Sequence, residues 1–203
     1  ALAHCILSGG KAHMIETILT HGHKLKIDKP DHRNRSPLMV AADSVDLYSC
    51  RRLTDCKANV NWTDDKGNTP VLLVCRERKT AGKPKERFCA DQLELLRFLC
   101  EKKADINAQN HDGESPLLLA CELAQPELIQ ALLELKVNAR VKNHINRRSA
   151  HDLWLSHTTP SEREKYGKIT QYLADPPPPP TPDIHPTMKT RTTPTVPPSS
   201  LSL

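Results

Sequence analysis

The chain has 203 residues, of which 37 % are apolar, 26 % charged and 3 % aromatic, and its formal net charge is +5. That composition suits a globular protein of one or two domains and excludes a chain too polar to bury a core. No apolar run approaches the roughly 18 residues that a membrane helix needs, so membrane insertion is not expected.

The elements repeat. Four strings align in chain order: RSPLMVAA from Arg35, NTPVLLVC from Asn68, ESPLLLAC from Glu114 and RSAHDLWL from Arg148. Ser36, Thr69 and Ser115 each precede a proline. A hydroxyl caps the free N–H groups of a helix start, and proline fits the first turn. Small residues follow, Ala41-Ala42 and Ala120-Cys121, which lets neighbouring helices approach closely. A second helix carries an apolar stripe, Leu95, Leu96 and Leu99 in one unit and Leu128, Ile129, Leu132 and Leu133 in the next. Between units come ANVN ending at Asn61 and ADIN ending at Asn107, then turns with Gly67 and Gly113 where positive φ is expected. The last unit starts at Ser149. Its second helix is predicted to begin at Ser161, with Glu164 completing a capping box, and Tyr166, Ile169, Tyr172 and Leu173 form its inward face. No unit can bury its apolar face alone, whereas stacked units can.

The spacing, the turn glycines and the D-[IV]-N-like strings resemble the ankyrin repeat, a unit of about 33 residues. The resemblance covers about residues 1–173, since Ala1 fits a unit start that puts Gly10, Gly22 and Ile18-Leu19 in register. It implies an all-α solenoid of helix-turn-helix units with β-hairpin fingers. The units fall at 1–35, 36–68, 69–114, 115–148 and 149–173, within a domain at 1–174. The departures are Val45 and Lys57, where the family prefers glycine, and the lack of the signature histidine in all units but the first, where His4 stands.

One unit is longer by 13 residues, about Lys79 to Asp91, and Gly82 and Pro84 break any helix there, so an external loop is expected. Residues 76–90 hold six basic side chains against two acidic ones, which makes this loop the basic part of an otherwise near-neutral chain. Lys79, Lys83, Lys85 and Arg87 are candidate contacts for an acidic partner; a tolerated, solvated insertion is the plainer reading. Nucleic acid is disfavoured, because Phe88 alone could stack on a base. From Asp175 onward, ten of 29 residues are proline, and residues 175–203 read as a disordered proline-rich tail able to dock on SH3- or WW-type domains.

The seven cysteines are odd in number and form no C-x-x-C, so free thiols and an intracellular setting, cytoplasmic or nuclear, are expected. No stretch at the start reads as a signal peptide, and a chain opening at Ala1 without Met reads as a piece of something longer. Cys75 and Cys121 share the register of Ala42 and read as packing residues, while Cys89 in the basic insertion is the candidate reactive thiol. No histidine has a second ligand at metal spacing, and SGGK at 8–11 lacks the phosphate-loop spacing. No nucleophile, base and orienter assemble, so no cofactor, metal or catalysis is expected.

What the resemblance implies for function is a non-catalytic, monomeric module that meets a protein partner through its finger tips and the concave face of its first helices. Carried over, the candidate contacts are Arg33, Arg35, Lys66, Asn68, His111 and Glu114 at the tips, with Asn34, Asn146 and Arg147 beside them, and Asp43, Arg76 and Glu122 on the first helices. The resemblance also makes Asn61 and Asn107 candidates for asparaginyl hydroxylation. Two other readings stay open: an adaptor whose proline-rich tail is the ligand, and a regulatory segment of a larger enzyme or channel.

Overall fold

The computed structural model describes residue 6, residues 26–76 and residues 85–178, with the backbone alone for 85–89. The expectations for His4, Lys79, Lys83, the Cys89 side chain and residues 179–203 lie outside what is described. Among the described residues the chain forms helices in pairs: α1 (Pro37–Asp43) and α2 (Leu47–Asp55), α3 (Pro70–Cys75) and α4 (Lys85–Glu101), α5 (Pro116–Glu122) and α6 (Pro126–Glu134). The last group is α7 (Ala150–His157), α8 (Pro160–Lys165) and α9 (Gly167–Ala174).

The first helix of each pair starts as its sequence dictates. The Ser36, Thr69 and Ser115 hydroxyls accept from the N–H groups of Met39, Leu72 and Leu118 at 3.3, 3.4 and 3.4 Å, and proline follows each cap. These helices are too short to be stable alone. They persist because α1, α3, α5 and α7 pack side by side and bury Pro37 to Ala42, Pro70 to Cys75 and Pro116 to Cys121. Ala41, Ala42, Cys75, Ala120 and Cys121 are fully buried, so the small residues are the ones at the close approaches. Burial in this apolar layer pushes the thiols of Cys75 and Cys121 far up, which leaves them as inert packing groups. The amphipathic second helices cover one side of the layer with Cys50 and Leu53, then Leu95, Leu96 and Leu99, then Leu128, Ile129 and Leu132. Each fully buried leucine contributes about 1.5–3 kcal/mol.

The helices end alike. Ala58, Ala104 and Val137 donate five residues back to Leu53, Leu99 and Leu132 at 3.0, 3.0 and 3.3 Å, while Lys57, Lys103 and Lys136 take φ of 66, 65 and 60°. This is a Schellman closure, whose left-handed position favours glycine. Here lysine occupies it three times, and Val45 and Ala124 occupy its counterpart after α1 and α5 with φ of 50 and 48°.

Two expectations are corrected. The insertion is not a loop throughout, since α4 begins at Lys85, and Lys85 and Arg87 stand on its first turns. Its sequence from Lys85 is rich in helix formers, and Gly82 and Pro84 no longer interrupt. In the last unit the capping box is Thr159 with Glu162, two residues before Ser161 and Glu164. Pro160 at the first helical position selects that start, and the element then breaks at Tyr166, whose ψ is 38°, into α8 and α9.

Candidate functional site

The fingers between units are built on one acceptor each. Asp31 Oδ1 accepts from the N–H groups of Arg33 and Arg35, both at 2.9 Å. Asp64 Oδ1 takes those of Lys66 and Asn68 at 2.9 and 2.8 Å, and Asn110 Oδ1 those of Asp112 and Glu114 at 3.1 and 2.9 Å. Two backbone bonds close each turn: Asp31, Asp64 and Asn110 donate to Arg35, Asn68 and Glu114 at 3.0–3.1 Å and accept from Asn34, Gly67 and Gly113 at 3.1, 2.9 and 2.9 Å. A further bond links one finger to the next: Asp65 donates to Arg33 at 3.3 Å, His111 to Lys66 at 3.0 Å and His144 to Asp112 at 2.9 Å. The expected β-hairpins are therefore reduced to tight turns. Among the described residues the β pairing is a single bridge, Lys142 with Ser149. Positive φ falls at Asn34, Gly67, Gly113 and Arg147. A Cβ on Gly113 would stand 2.5 Å from the His144 ring and backbone nitrogen, and one on Gly67 would stand 2.7 Å from the His111 ring.

A second ladder runs below the fingers. Asn61 Oδ1 accepts from the Asp105 N–H at 2.8 Å, and Asn107 Oδ1 from the Asn138 N–H at 2.7 Å. Asp28 fills the same place one unit earlier, accepting from Asn59 at 3.1 Å. Both asparagines named as hydroxylation candidates thus hold the following repeat in place.

The side chains expected at the surface divide into two groups. Arg33, Lys66 and His111 are exposed at the tips, and Arg76 and Glu122 are exposed at the ends of α3 and α5. Asn68, in contrast, is only 3 % exposed, which corrects its placement at a tip. Its amide donates to Asp64 at 3.0 and 3.2 Å and accepts from Asn110 Nδ2 at 3.1 Å. The side chain in this register turns inward because the buried asparagine of the next finger needs an acceptor. Glu114 accepts from Asn110 Nδ2 at 2.7 Å, and Arg35 grips Asp31 at 2.8 and 3.0 Å and lies 3.8 Å from Asp43. Burial raises the Asp31 carboxyl, but the backbone bonds from Arg35 and Arg33, with the Arg35 side chain, outweigh it and leave the group below the usual carboxylate range. Arg35, Asn68 and Glu114 therefore shape the fingers, with Asp43 half-buried beside Arg35.

Among the described residues, two large apolar side chains outside the candidate set are exposed, Tyr48 and Ile145. Ile145 is 75 % exposed at the tip of the last finger. Its signal was the spacing: Asn143 to Arg148 is one residue longer than Asp31 to Arg35, Asp64 to Asn68 or Asn110 to Glu114. Away from the fingers, a groove of about 520 Å³ lies among α4, α6, α7 and α8, lined by Leu93, Pro126, Trp154 and Tyr166, with Glu127, Glu162 and Lys165 also on its walls. The groove sets Trp154 edge-on to Tyr166, with centroids 6.3 Å apart. Among the described residues no group of acidic, histidine and cysteine side chains is arranged to hold a metal ion. None of the described helices is long and apolar enough to cross a membrane.

The family of ankyrin repeats in many copies matches residues 89–133, from α4 through most of α6, and that segment is ankyrin-repeat structure. The helical stack around it is consistent with the same family, with the same caps, finger turns and Schellman closures repeated on either side. No curated protein matches the chain.

Proposed function

We propose that the chain is a non-catalytic protein-binding module whose partner lies along the row of fingers and against the ends of the first helices. The observation that carries this reading is the division among the finger side chains. Arg33, Lys66 and His111 stand outward on consecutive fingers, while Arg35, Asn68 and Glu114 beside them fix the turns that display them. A surface rigidified in this way loses little conformational entropy on binding. Arg76 and Glu122 extend the contact onto α3 and α5, and the basic side chains of the insertion, Lys79, Lys83, Lys85 and Arg87, offer an acidic partner a further contact.

The test is affinity capture from lysate with mass spectrometry. The baits are the whole chain, the whole chain with Arg33→Glu and Lys66→Glu, residues 1–174, and the whole chain with Lys79, Lys83, Lys85 and Arg87 each changed to Gln, whose partners are lost if the basic insertion is a contact. Partners that survive removal of the tail and disappear on charge reversal at the tips are the expected result. Partners that follow the tail, and ignore the tips, would instead make the repeats a spacer for a proline-rich ligand.

A further inference from the structure

The fourth finger differs from the other three in length, charge and tip. In the shared turn register the tip residues are Arg33, Lys66 and Asp112, each two places after the acceptor of its turn. Two places after Asn143 stands Ile145, and the extra residue, Asn146, follows it before the positive-φ residue Arg147. A single exposed aliphatic side chain is common on protein surfaces. This one is set apart because its register carries a charge in every other described finger and because the added residue lengthens the turn that holds it out.

The finger is also held firmly. His144 donates to Asp112 O at 2.9 Å, Asn143 N to Arg148 O at 3.2 Å, and the Arg148 N–H reaches both Asn143 Oδ1 and Asn146 Oδ1 at 3.0 and 3.3 Å. Its surroundings are basic, since residues 139–149 contain Arg140, Lys142, Arg147 and Arg148 and no Asp or Glu. Arg140 and Arg148 are turned to the protein, onto Pro176 O and onto Asp152 O with Ser156 Oγ. Lys142 and Arg147 are exposed on either side of Ile145 in the chain, while the His144 ring lies against Gly113. The carboxylate of Asp152 has its Oδ2 taken up by Ser149.

We propose that this tip is an anchor: Ile145 inserts into an apolar pocket on a protein partner, and the rim of that pocket is acidic and faces Lys142 and Arg147. A β-branched side chain on a fixed turn has few rotamers to lose. Packed into a desolvated pocket it serves as a binding hot spot, while the cations steer encounter and set orientation. The proposal rests on the finger-row reading above and names the part of the row that contributes most.

A phage library of a small folded scaffold displaying randomised loop peptides that can enclose a pocket, panned on the immobilised full-length chain, supplies the probe. Selected scaffolds are then titrated against full-length chains carrying Ile145→Asp, Lys142→Glu with Arg147→Glu, or Lys66→Glu. Enriched peptides are expected to combine Asp or Glu with a bulky apolar residue. Their affinity should fall at least about tenfold on Ile145→Asp and several-fold on the double charge reversal. Since Ile145 is in solvent, unchanged circular dichroism and melting are expected for its variants, and Ile145→Ser gives the same readout if the aspartate impairs folding. Peptides that ignore Ile145 but weaken on Lys66→Glu overturn the anchor and leave the finger row standing. Peptides indifferent to every finger variant, or no enrichment at all, overturn both.

Discussion

Arg140 donates from Nε and Nη2 to the carbonyl of Pro176 at 3.2 and 2.9 Å, from the place in the repeat that Asp28, Asn61 and Asn107 occupy in earlier units. The earlier residues accept an N–H from the next repeat. Proline has none to give, and the role inverts: the side chain becomes the donor and the chain the acceptor. Arg140→Ala should speed amide exchange over residues 170–175 and cost about 0.5–1 kcal/mol, because the bond is exposed. Unchanged exchange there would show that the clip does not hold the end of α9.

Asn107 and Asp28 perform one task with different chemistry, since an acceptor oxygen is all the site demands. Asn107→Ala should lower stability by about 1 kcal/mol in a urea titration, and Asn107→Asp by less than half of that. Equal losses would mean that the amide nitrogen matters as well.

Gln92 is buried in α4 and donates its amide to the carbonyl of Val74, at the end of α3 where the insertion leaves the helix layer. Gln92→Leu strands that carbonyl and should cost about 1–3 kcal/mol. Urea midpoints of the two chains measure it, and a loss below about 0.5 kcal/mol would count against the bond as the staple of the inserted unit.

Glycine stands at two left-handed finger positions, Gly67 and Gly113, and is lacking at others. Gly113→Ala drives a Cβ to 2.5 Å from the His144 backbone at φ 76°, so a loss above about 2 kcal/mol is expected. Lys103→Gly removes the strain of a side chain at φ 65° and should raise the melting temperature slightly, by roughly 0.5 kcal/mol of stability after the entropy glycine returns to the unfolded chain. Thermal melts of both variants give the signs.

Asp152 is held below its usual carboxylate range by the backbone bond from Ser149 and then by the Ser149 hydroxyl. A lowered folded-state value means that this carboxylate adds stability above an unfolded value of about 4 and loses it as pH falls through the lower folded one. Asp152→Asn should therefore cost stability at neutral pH, by a few tenths of a kcal/mol roughly after solvent screening, and nothing once acid has protonated the wild type. The difference between the two chains is read from urea midpoints across that range; a difference independent of pH would place the effect in packing.

The helix pairs, their caps and the small-residue contacts were legible because the packing layer repeats: Ser36, Thr69 and Ser115 recur with proline and an apolar run, and all three prove to be caps. The start of α4 was not, because Gly82 and Pro84 are strong local breakers while the helix preference after them is diffuse over many residues. At the fingers, sequence located the turns and not the direction of each side chain. Asn68 turns inward to meet Asn110, a partner 42 residues away, and no local pattern encodes that bond. Ile145 was hidden for the opposite reason, being an apolar residue in a row whose other tips, Arg33, Lys66 and Asp112, are charged.

The bond between Asn68 and Asn110 has a mechanical consequence. It joins two finger bases inside the protein while the Lys66 carbonyl and His111 N–H join the same two fingers near their tips. Two ties at different heights resist rocking as well as sliding, so these fingers behave as a stiff plate and not as separate teeth. A load applied at Lys66 therefore reaches His111 too, and a shear force along the row is shared between these neighbouring turns before either opens.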